Sequence, residues 1–595
     1  MAGHPHNLGK KKVKPENWGA TAKRIWSYLA EKRGQLSLVF IMILVSSALG
    51  LLGPYLIGLA IDTYIVPGKL RGLGLLLAAF IAVYALQSIG IFLQNYWMIG
   101  IAQHTVYTMR SQLFRTFHHL PISYFEKRQH GELMSRITND IDNVSSTLNS
   151  SFIQIVSSVL TLAGTVGVML WLSPLLTALT LIIVPMLFAG MKWITARTGP
   201  LYKKQQKNTG VLNGYIEEII SGQRIVKSFS QEKRVTAEFL EKNENLRQSG
   251  YWSQSYAGFI PKLMNMLNNL SFAIIAGIGG YLAFKGMITI GVIVIFAEYS
   301  RQFTRPLNEL ANQFNTLLSA VAGAERVFEI LDEEKEENDE HNAVAVAQLT
   351  GNVEFQDVSF SYEGHNGDTV SSISFVAQQG QMTALVGPTG AGKTTLFNLL
   401  SRFYDPEQGS ILFDGMASIS IKRESLRSHM AFVLQDSYLF QGTIRENIRY
   451  GRLDASDEEV EKAAHMANAH SFIMKLPNQY DTLLKPEGSG ISQGQRQLLS
   501  IARAMVADPA ILLLDEATSS IDTITELKIQ EALQRLFKGR TSFVIAHRLN
   551  TIQRADQIVV LQEGEVIEKG THEELIAHQG FYHSLYQNQN KEETG

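Results

Sequence analysis

Long apolar runs without charged residues dominate the first half of the chain. Residues 34–61 and 72–109 contain no Asp, Glu, Lys or Arg, and residues 143–191 form a longer charge-free run that a Leu-Ser-Pro sequence interrupts at residues 172–174. A bilayer core of about 30 Å requires about 20 apolar residues per helix. The pattern therefore predicts one membrane span in each of the first two runs, and two spans joined by a tight turn in the third.

Two more spans complete the predicted membrane domain. Residues 263–284 form the fifth, and a sixth begins near Met287. A helix buried in a soluble core is the competing interpretation for any one run, but six runs in succession favour a membrane. The segments 103–151 and 192–262 are long, charged and helix-patterned. We expect them to continue the spans on the inner side, because they are too long to be simple turns.

Basic residues next to the first span predict the orientation of the chain. They are Lys10, Lys11, Lys12, Lys14, Lys23, Arg24, Lys32 and Arg33. By the positive-inside rule they keep the amino terminus cytoplasmic, and an even number of spans then places both termini inside. The chain start has no short apolar core with a cleavage site, so we expect that no segment is removed.

The second half of the chain has a different pattern. Residues 332–340 carry seven acidic residues in nine, which is typical of a solvated linker and marks a domain boundary. Apolar strand candidates then alternate with helical stretches, and this alternation predicts an α/β domain. The strand candidates are residues 352–362, 382–386, 431–434, 511–514 and 542–545.

A phosphate-binding loop follows the second of these strands. It consists of Gly387, Pro388, Thr389, Gly390, Ala391, Gly392, Lys393, Thr394 and Thr395. The glycines let backbone N–H groups approach the phosphates, Lys393 reaches the outer phosphates, and the Thr394 hydroxyl can ligate Mg²⁺. A buried strand before the loop and a helix after it supply the context that the motif requires. The sequence therefore predicts an ATP site.

The charge balance and the cysteine content argue against two classes of partner or site. The 595 residues include 53 Lys and Arg against 55 Asp and Glu, so no positive excess favours nucleic acid as a partner. There is no cysteine, which excludes disulfides and thiolate metal sites.

The order of motifs resembles that of an ATP-binding cassette exporter half-transporter over nearly the whole chain. After six spans come the phosphate loop, Gln435, Ser492, Gln493, Gly494, Gln495, Asp515, Glu516 and His547. Residues 120–136 and 215–229 resemble the two cytoplasmic loops of these exporters, each of which should carry a short coupling helix that docks on a nucleotide-binding domain. The resemblance implies a cytoplasmic segment, a six-helix transmembrane domain, an acidic linker and a nucleotide-binding domain at residues 1–35, 36–331, 332–350 and 351–595.

The resemblance also implies a role for each motif around ATP and Mg²⁺. Tyr362 is then the aromatic residue that stacks on adenine, with an ordinary edge-strand tyrosine as the alternative. Asp515, at the end of a buried strand, lies where Mg²⁺ binds, and Glu516 accepts a proton from the attacking water or orients it. Gln435 contacts Mg²⁺ and signals to the coupling helices, and His547 contacts the γ-phosphate.

The signature segment implies that a second chain is needed. In the family this segment, here residues 492–495, binds ATP held by the opposite nucleotide domain, and Asp522 belongs to the loop that crosses between the two. Signatures commonly read Leu-Ser-Gly-Gly-Gln, whereas this chain has Gln493 at a glycine position. Together with an intact Glu516, this resembles one half of bacterial heterodimeric exporters. The sequence therefore favours a heterodimer, and a homodimer stays open.

The expected function is outward transport of small amphipathic compounds, drugs or lipids, across the cell membrane by alternating access. An ATP-gated channel or regulatory subunit shares the motifs, but an intact Glu516 favours turnover. Glu298 is a candidate for the substrate cavity, since about ten residues of helix place it roughly 15 Å deep in the sixth span. A structural pair with Arg301 is the equal alternative.

Overall fold

The computed structural model describes residues 17–68, 71–336, 339–340, 342–362, 367–435, 437–485, 488, 490–515, 521–546 and 548–594. The chain divides into two compact units. The membrane unit comprises Met1–Leu120 and Phe125–Glu334, and the nucleotide unit comprises Pro121–Tyr124 and Lys335–Gly595.

The described part of the membrane unit is helical. Its helices, together with α4, which lies where the two units divide, are α1 Trp18–Ala30, α2 Arg33–Ala60, α3 Leu73–Phe117, α4 Ile122–Glu126, α5 His130–Ser135, α6 Ile141–Ser146, α7 Phe152–Leu172, α8 Pro174–Leu181, α9 Ile183–Ser221, α10 Gln223–Ser228, α11 Glu232–Ala257, α12 Phe259–Phe284 and α13 Ile290–Leu331. Three π-helical segments, Ile61–Ile65, Arg136–Asp140 and Thr147–Ser151, continue neighbouring helices. The short helices α4 and α10 lie where the sequence predicts coupling helices.

The apolar runs correspond to long helices. Within the described residues, four helical stretches are long and apolar enough to cross a membrane: Arg33–Ile65, Leu73–Phe117, His130–Leu172 and Glu232–Phe284. The predicted fourth span falls on α8 and the start of α9, and the sixth on α13. Helix α13 carries Glu298, Arg301 and Arg305, which lower its mean hydropathy.

The predicted break between the third and fourth spans is present. Helix α7 ends at Leu172, and Ser173 leaves the helical conformation with φ −162° and ψ 103°. The Ser173 hydroxyl accepts a hydrogen bond from the backbone N–H of Leu176, and Pro174 occupies the first position of α8. A serine cap followed by proline is a common helix start. Proline has no backbone N–H, and at the first helical position that N–H would have no intrahelical acceptor.

Helices α2, α3, α7 and α13 form the packed centre of the membrane unit. Tyr299 on α13 is fully buried, and its hydroxyl donates to the carbonyl of Leu51 on α2 at 2.6 Å. A Cβ at Gly58 would lie 2.4 Å from the side chain of Ile295, so the two helices approach closely there. Asp62 accepts from the backbone N–H of Gly291 at 2.7 Å and joins the same two helices.

Helices α9 and α11 form a long arm. They pack along each other, and Asn208 on α9 donates to the Ser249 hydroxyl on α11 at 3.0 Å. Large apolar side chains stay exposed along both helices, among them Trp193, Tyr202, Val211, Ile220, Leu240, Tyr251 and Trp252.

The nucleotide unit contains the predicted α/β pattern. Its strands are β1 Val353–Phe360, β2 Val370–Ala377, β3 Met382–Val386, β4 Gln408–Phe413, β5 Met416–Ala417, β6 Met430–Val433, β7 Gly442–Thr443, β8 Leu483–Leu484, β9 Ile511–Asp515, β10 Thr541–Ile545, β11 Gln557–Gln562 and β12 Glu565–Gly570. The α-helices among its described residues are α14 Lys393–Leu400, α15 Arg423–Ser428, α16 Ile444–Arg449, α17 Asp457–Met466, α18 His470–Ile473, α19 Gln493–Ala507, α20 Thr523–Phe537, α21 Leu549–Gln553, α22 His572–His578 and α23 Phe581–Thr594.

Two sheets organise this unit. The first runs β12-β11-β3-β10-β9-β6, with parallel pairing throughout except at β12, and the second is antiparallel in the order β2-β1-β4-β5. All five predicted strands are present. The sequence interpretation missed others, such as β12, because this edge strand reads Glu-Val-Ile-Glu-Lys-Gly and contains only two consecutive apolar residues.

The acidic segment after α13 is not simply solvated, contrary to the default interpretation. Glu336 accepts from Arg427 at 2.7 Å, and Asp339 accepts from the backbone N–H of Arg423 and from the guanidinium of Arg402, which is only 3% exposed. Buried arginine needs carboxylate partners. The acidic run supplies one for Arg402, and Asp405 supplies another at 3.0 Å. A sequence pattern counts the charges of the run but does not reveal partners more than 60 residues away.

Candidate functional site

The phosphate loop joins the buried strand β3 to helix α14. A Cβ at Gly387 would lie 2.2 Å from the carbonyl oxygen of Leu561, so only glycine fits this close approach. Gly392 is the N-cap of α14 with φ 95°, a left-handed conformation that glycine adopts without strain. The loop therefore ends at the amino terminus of an eight-residue helix, which suits an anion.

Lys393 is held inside this loop. Its side chain is buried, and its ammonium group donates to the carbonyls of Gly387 at 2.7 Å and Pro388 at 2.8 Å. Burial lowers the pKa of Lys393, while the charge of Asp515 acts in the opposite direction. Thr394, the next residue, is exposed, and Thr395 is buried. The lysine is thus positioned by the loop's own backbone, and the Thr394 hydroxyl is accessible.

Four neighbouring parallel strands bring the predicted catalytic segments to one sheet edge. Ile545 of β10 lies opposite both Leu385 of β3 and Asp515 of β9, and β6 pairs with the other side of β9. Gln435 follows β6 by two residues and is exposed. The carboxyl ends of parallel strands are where α/β sheets bind ligands. Asp515 and Gln435 therefore lie at the same edge as the phosphate loop.

The predicted base Glu516 and the predicted switch residue His547 fall outside the described residues. In the sequence, Glu516 directly follows Asp515, the last residue of β9, and His547 comes two residues after the end of β10. Both roles stay predictions.

Tyr362, the predicted adenine platform, belongs to an aromatic group. Its ring centroid lies 4.9 Å from that of Phe360 and 5.1 Å from that of Tyr404, each nearly perpendicular. Its hydroxyl accepts a hydrogen bond from the Asn398 side chain on α14 at 3.0 Å. The helix that follows the phosphate loop thus orients the tyrosine. The sequence interpretation missed Tyr404 and Asn398, since neither belongs to a contiguous motif.

The signature segment begins helix α19. The Ser492 hydroxyl accepts from the backbone N–H of Gln495, and the Gln495 side chain accepts from the backbone N–H of Ser492, forming a capping box. Gln493 is exposed at the first helical position. Gly494 is buried, and a Cβ there would lie 2.4 Å from the Thr525 methyl on α20. The Gly494 position therefore requires glycine for helix packing.

Asp522 caps the neighbouring helix α20. Its carboxylate accepts from the backbone N–H of Thr525 at 2.9 Å, and this hydrogen bond lowers the pKa of Asp522. Asp522, which the sequence assigns to the crossing loop between two nucleotide domains, is therefore the N-cap residue with which α20 begins.

The membrane unit contains a cavity of about 770 Å³ between α2, α3, α7 and α13. Glu298 is not among its described lining residues; its carboxylate lies 3.8 Å from the Arg301 guanidinium on the same helix. The cavity instead contains Arg305 and Glu309, whose side chains form an ion pair at 2.9 Å. Sequence reasoning missed both, because they lie past the apolar part of α13.

One chain thus joins long apolar helices to a phosphate-loop domain, which together define an ATP-driven membrane transport protein. The family description "ABC transporter transmembrane region" matches residues 36–307, and "ABC transporter" matches residues 370–519. The chain belongs to the ABC transporter family; it is a membrane-bound ABC exporter, an ATPase coupled to transport.

Relatives cover nearly the full length. "Uncharacterized ABC transporter ATP-binding protein YfiC" of Bacillus subtilis is 62% identical over 98% of this chain and 96% of the relative. "Fatty acid ABC transporter ATP-binding/permease protein" of Mycobacterium tuberculosis is 43% identical over 86% of this chain and 80% of its own length. The "Structure of a bacterial Atm1-family ABC exporter with ATP bound" matches with TM-score 0.74 and 30% identity, covering 94% of this chain and 98% of that one.

Proposed function

We propose that this chain is one half of a bacterial exporter that hydrolyses ATP to move amphipathic compounds, lipids or drugs, outward across the cell membrane by alternating access. Both termini and the nucleotide-binding domain, residues 351–595, lie in the cytoplasm. The observation that carries the proposal is the common sheet edge of the phosphate loop, Asp515 and Gln435 in a chain with long apolar helices. The name of the relative that is 43% identical refers to fatty acids, which supports a lipid-like cargo.

At the nucleotide site each residue has a proposed task. Lys393 leaves the carbonyls of Gly387 and Pro388 to bind the outer phosphates, while Tyr362 stacks on adenine. Glu516 orients the attacking water and accepts its proton, and His547 donates to the γ-phosphate, where charge develops. Binding of ATP must favour the closed form of the dimer over the open one, since a ligand indifferent to both shifts nothing.

The donor set at the sheet edge fits Mg²⁺. The exposed Thr394 hydroxyl, the Asp515 carboxylate and the Gln435 amide are oxygen donors, which this cation prefers. When bound, Mg²⁺ neutralises charge on the phosphates. Asp515 also raises the pKa of Lys393, in opposition to the effect of burial. The Asp515 carboxylate therefore favours the charged form of the lysine.

A second chain is part of the proposal. Exporters of this fold act as dimers. The exposed apolar residues of the α9–α11 arm, such as Ile220 and Trp252, support a partner that covers them, since large apolar surfaces on a folded protein mark interaction sites. The coupling helix α10 lies next to the arm, and Phe229, directly after α10, is 70% exposed. We propose that each coupling helix docks on a nucleotide domain.

We propose a heterodimer, because Gln493 stands where close approach to phosphate favours glycine. This chain then gives its own Lys393 and Glu516 to the active ATP site and its altered signature to a slow site. Expression of the chain alone, followed by measurement of oligomeric state and substrate-stimulated ATPase, tests this. A stable homodimer with two equally active sites contradicts it and leaves a homodimeric lipid flippase as the alternative.

Transport itself is tested in sealed vesicles. The reconstituted exporter is expected to accumulate a fluorescent amphiphile against its gradient when ATP is added on the side of the nucleotide-binding domain. An ATP-gated channel, the second alternative, would equilibrate the compound without accumulation.

A further inference from the structure

We propose that the cavity between α2, α3, α7 and α13 binds the uncharged polyhydroxyl headgroup of a glycolipid. This inference rests on the proposed exporter function and names the substrate class. The cavity volume of about 770 Å³ lies within the range of roughly 300–1,000 Å³ that is typical of small-molecule sites.

The lining is unusually polar for a membrane domain. Of its twenty residues, seven carry hydroxyl groups and six carry side-chain amides. Such groups hydrogen-bond as both donors and acceptors, which matches the alternating donors and acceptors of sugar hydroxyls. Some are already oriented: the Ser46 hydroxyl donates to the Gln94 amide oxygen at 3.2 Å, which leaves the Gln94 NH₂ group for another acceptor.

Two buried polar atoms of the lining have no partner among the described residues. They are the hydroxyl oxygen of Ser47, a residue only 9% exposed, and the amide oxygen of Asn149. A buried polar atom without a hydrogen bond destabilises a protein, and such groups are rare in folded structures. A ligand with hydroxyl groups would satisfy both.

Two prolines open the helical hydrogen-bond ladder beside the same cavity. Pro54 on α2 and Pro306 on α13 have no backbone N–H, so the carbonyls four residues earlier, at Gly50 and Gln302, lack their usual helical donor. Gly50 and Gln302 both line the cavity. Helices α2 and α13 therefore each contribute a backbone carbonyl that has no helical N–H partner. These two carbonyls could accept hydrogen bonds from sugar hydroxyls.

The charges of the lining cancel. Arg305 Nε donates to one carboxylate oxygen of Glu309 at 2.9 Å, and the Ser158 hydroxyl donates to the other at 3.2 Å. Arg305 and Glu309 are the charged residues of the described lining. A fatty-acid carboxylate or a quaternary amine would therefore find no unpaired opposite charge in the cavity. A neutral headgroup needs no such charge, so the pairing of Arg305 with Glu309 does not weaken its binding.

Binding measurements on the full exporter in lipid nanodiscs test the proposal. The probes are a monoglucosyl diacylglycerol, palmitate, hexadecyltrimethylammonium and free maltose. The glycolipid is expected to bind at least about tenfold more tightly than the other three, a difference of about 1.4 kcal/mol. Equal binding of palmitate or of the ammonium compound would overturn the headgroup assignment, and equal binding of maltose would overturn the lipid assignment.

Two variants locate the binding in this cavity. Ser47→Ala and Asn149→Ala should each weaken glycolipid binding by about three- to tenfold, the scale of one hydrogen bond. Ser37→Ala, on the same helix α2 but outside the lining, should leave binding and ATPase activity unchanged. Wild-type affinity in both cavity variants contradicts the proposal even when ATP-driven transport is present. Tight, variant-sensitive glycolipid binding without ATP-driven accumulation would instead contradict the exporter function alone.

Discussion

The nucleotide unit and the membrane unit position the polar groups of their candidate sites in different ways. In the nucleotide unit, the groups that would contact ATP follow strand ends and helix starts, as Lys393, Asp515 and Ser492 do. In the membrane unit, the polar cavity takes several residues from each of four helices, and its lining extends from Ser46 to Glu309 in the sequence. Backbone geometry thus fixes the first site, and side-chain packing between distant helices fixes the second.

This difference has a consequence for the size of mutational effects. In the proposed mechanism, a group at a strand end acts directly on phosphate and no neighbour repeats its task, so its loss should be severe. A cavity lined by thirteen hydroxyl and amide residues shares its hydrogen bonds, and a single loss there should be mild. Strong effects in the nucleotide unit and weak ones in the membrane unit would support the comparison.

Lys393→Met should have the largest effect, because it removes the charge that we propose binds the outer phosphates. ATP binding, followed with a fluorescent analogue, should fall below detection. Lys538→Met, an exposed lysine of the same unit, should bind normally. Retained ATP binding in Lys393→Met would mean that the loop backbone suffices.

The same variant should change how the stability of the nucleotide-free protein depends on pH. Burial lowers the pKa of Lys393, so the folded state disfavours its protonated form at neutral pH. This destabilisation is fully present below the lowered pKa and is relieved as pH rises from there towards the unfolded value of about 10.4. The melting temperature of wild type relative to Lys393→Met should therefore rise between pH 7.5 and pH 10. A difference that stays constant or falls over this range would contradict this.

Glu516→Gln should reduce steady-state ATPase activity by at least about 100-fold, the lower end of what a general base contributes. The amide keeps the shape of the side chain, so ATP should still bind. Glu531→Gln, an exposed carboxylate on α20, is the control and should be fully active. Near-normal turnover in Glu516→Gln would remove this residue from the proposed role.

Gly494→Ala should destabilise the nucleotide unit by about 1–3 kcal/mol, as overpacking typically does. The added methyl group would lie 2.4 Å from the Thr525 side chain, so α19 and α20 must separate. Gln493→Ala, one residue earlier and exposed, should change thermal melting little. Equal melting of the two variants would show that α20 adapts and that Gly494 serves nucleotide binding alone.

The sequence predicted the phosphate loop, the strand before it and the edge position of Asp515 because each is contiguous and follows a local pattern. It did not predict the partners of Glu336 and Asp339, nor the contact of Asn398 with Tyr362, because these depend on tertiary packing. It also selected Glu298 as the polar residue of the sixth span. The described lining of the cavity contains Arg305 and Glu309, about two and three turns beyond Glu298, while Glu298 lies near Arg301, as the alternative interpretation expects.

Glu298→Gln should have the smallest effect. Its carboxylate lies 3.8 Å from Arg301, both side chains are about half exposed, and the Arg301 guanidinium also lies 5.4 Å from the Phe272 ring centroid on α12. Such an exposed pair contributes little, so transport should fall by less than about threefold. Because Glu298 is outside the described cavity lining, cationic and neutral fluorescent amphiphiles should lose transport equally in vesicles. A clearly larger loss for the cationic compound would show that Glu298 selects charge, and the membrane unit would then depend on a single residue as the nucleotide unit does.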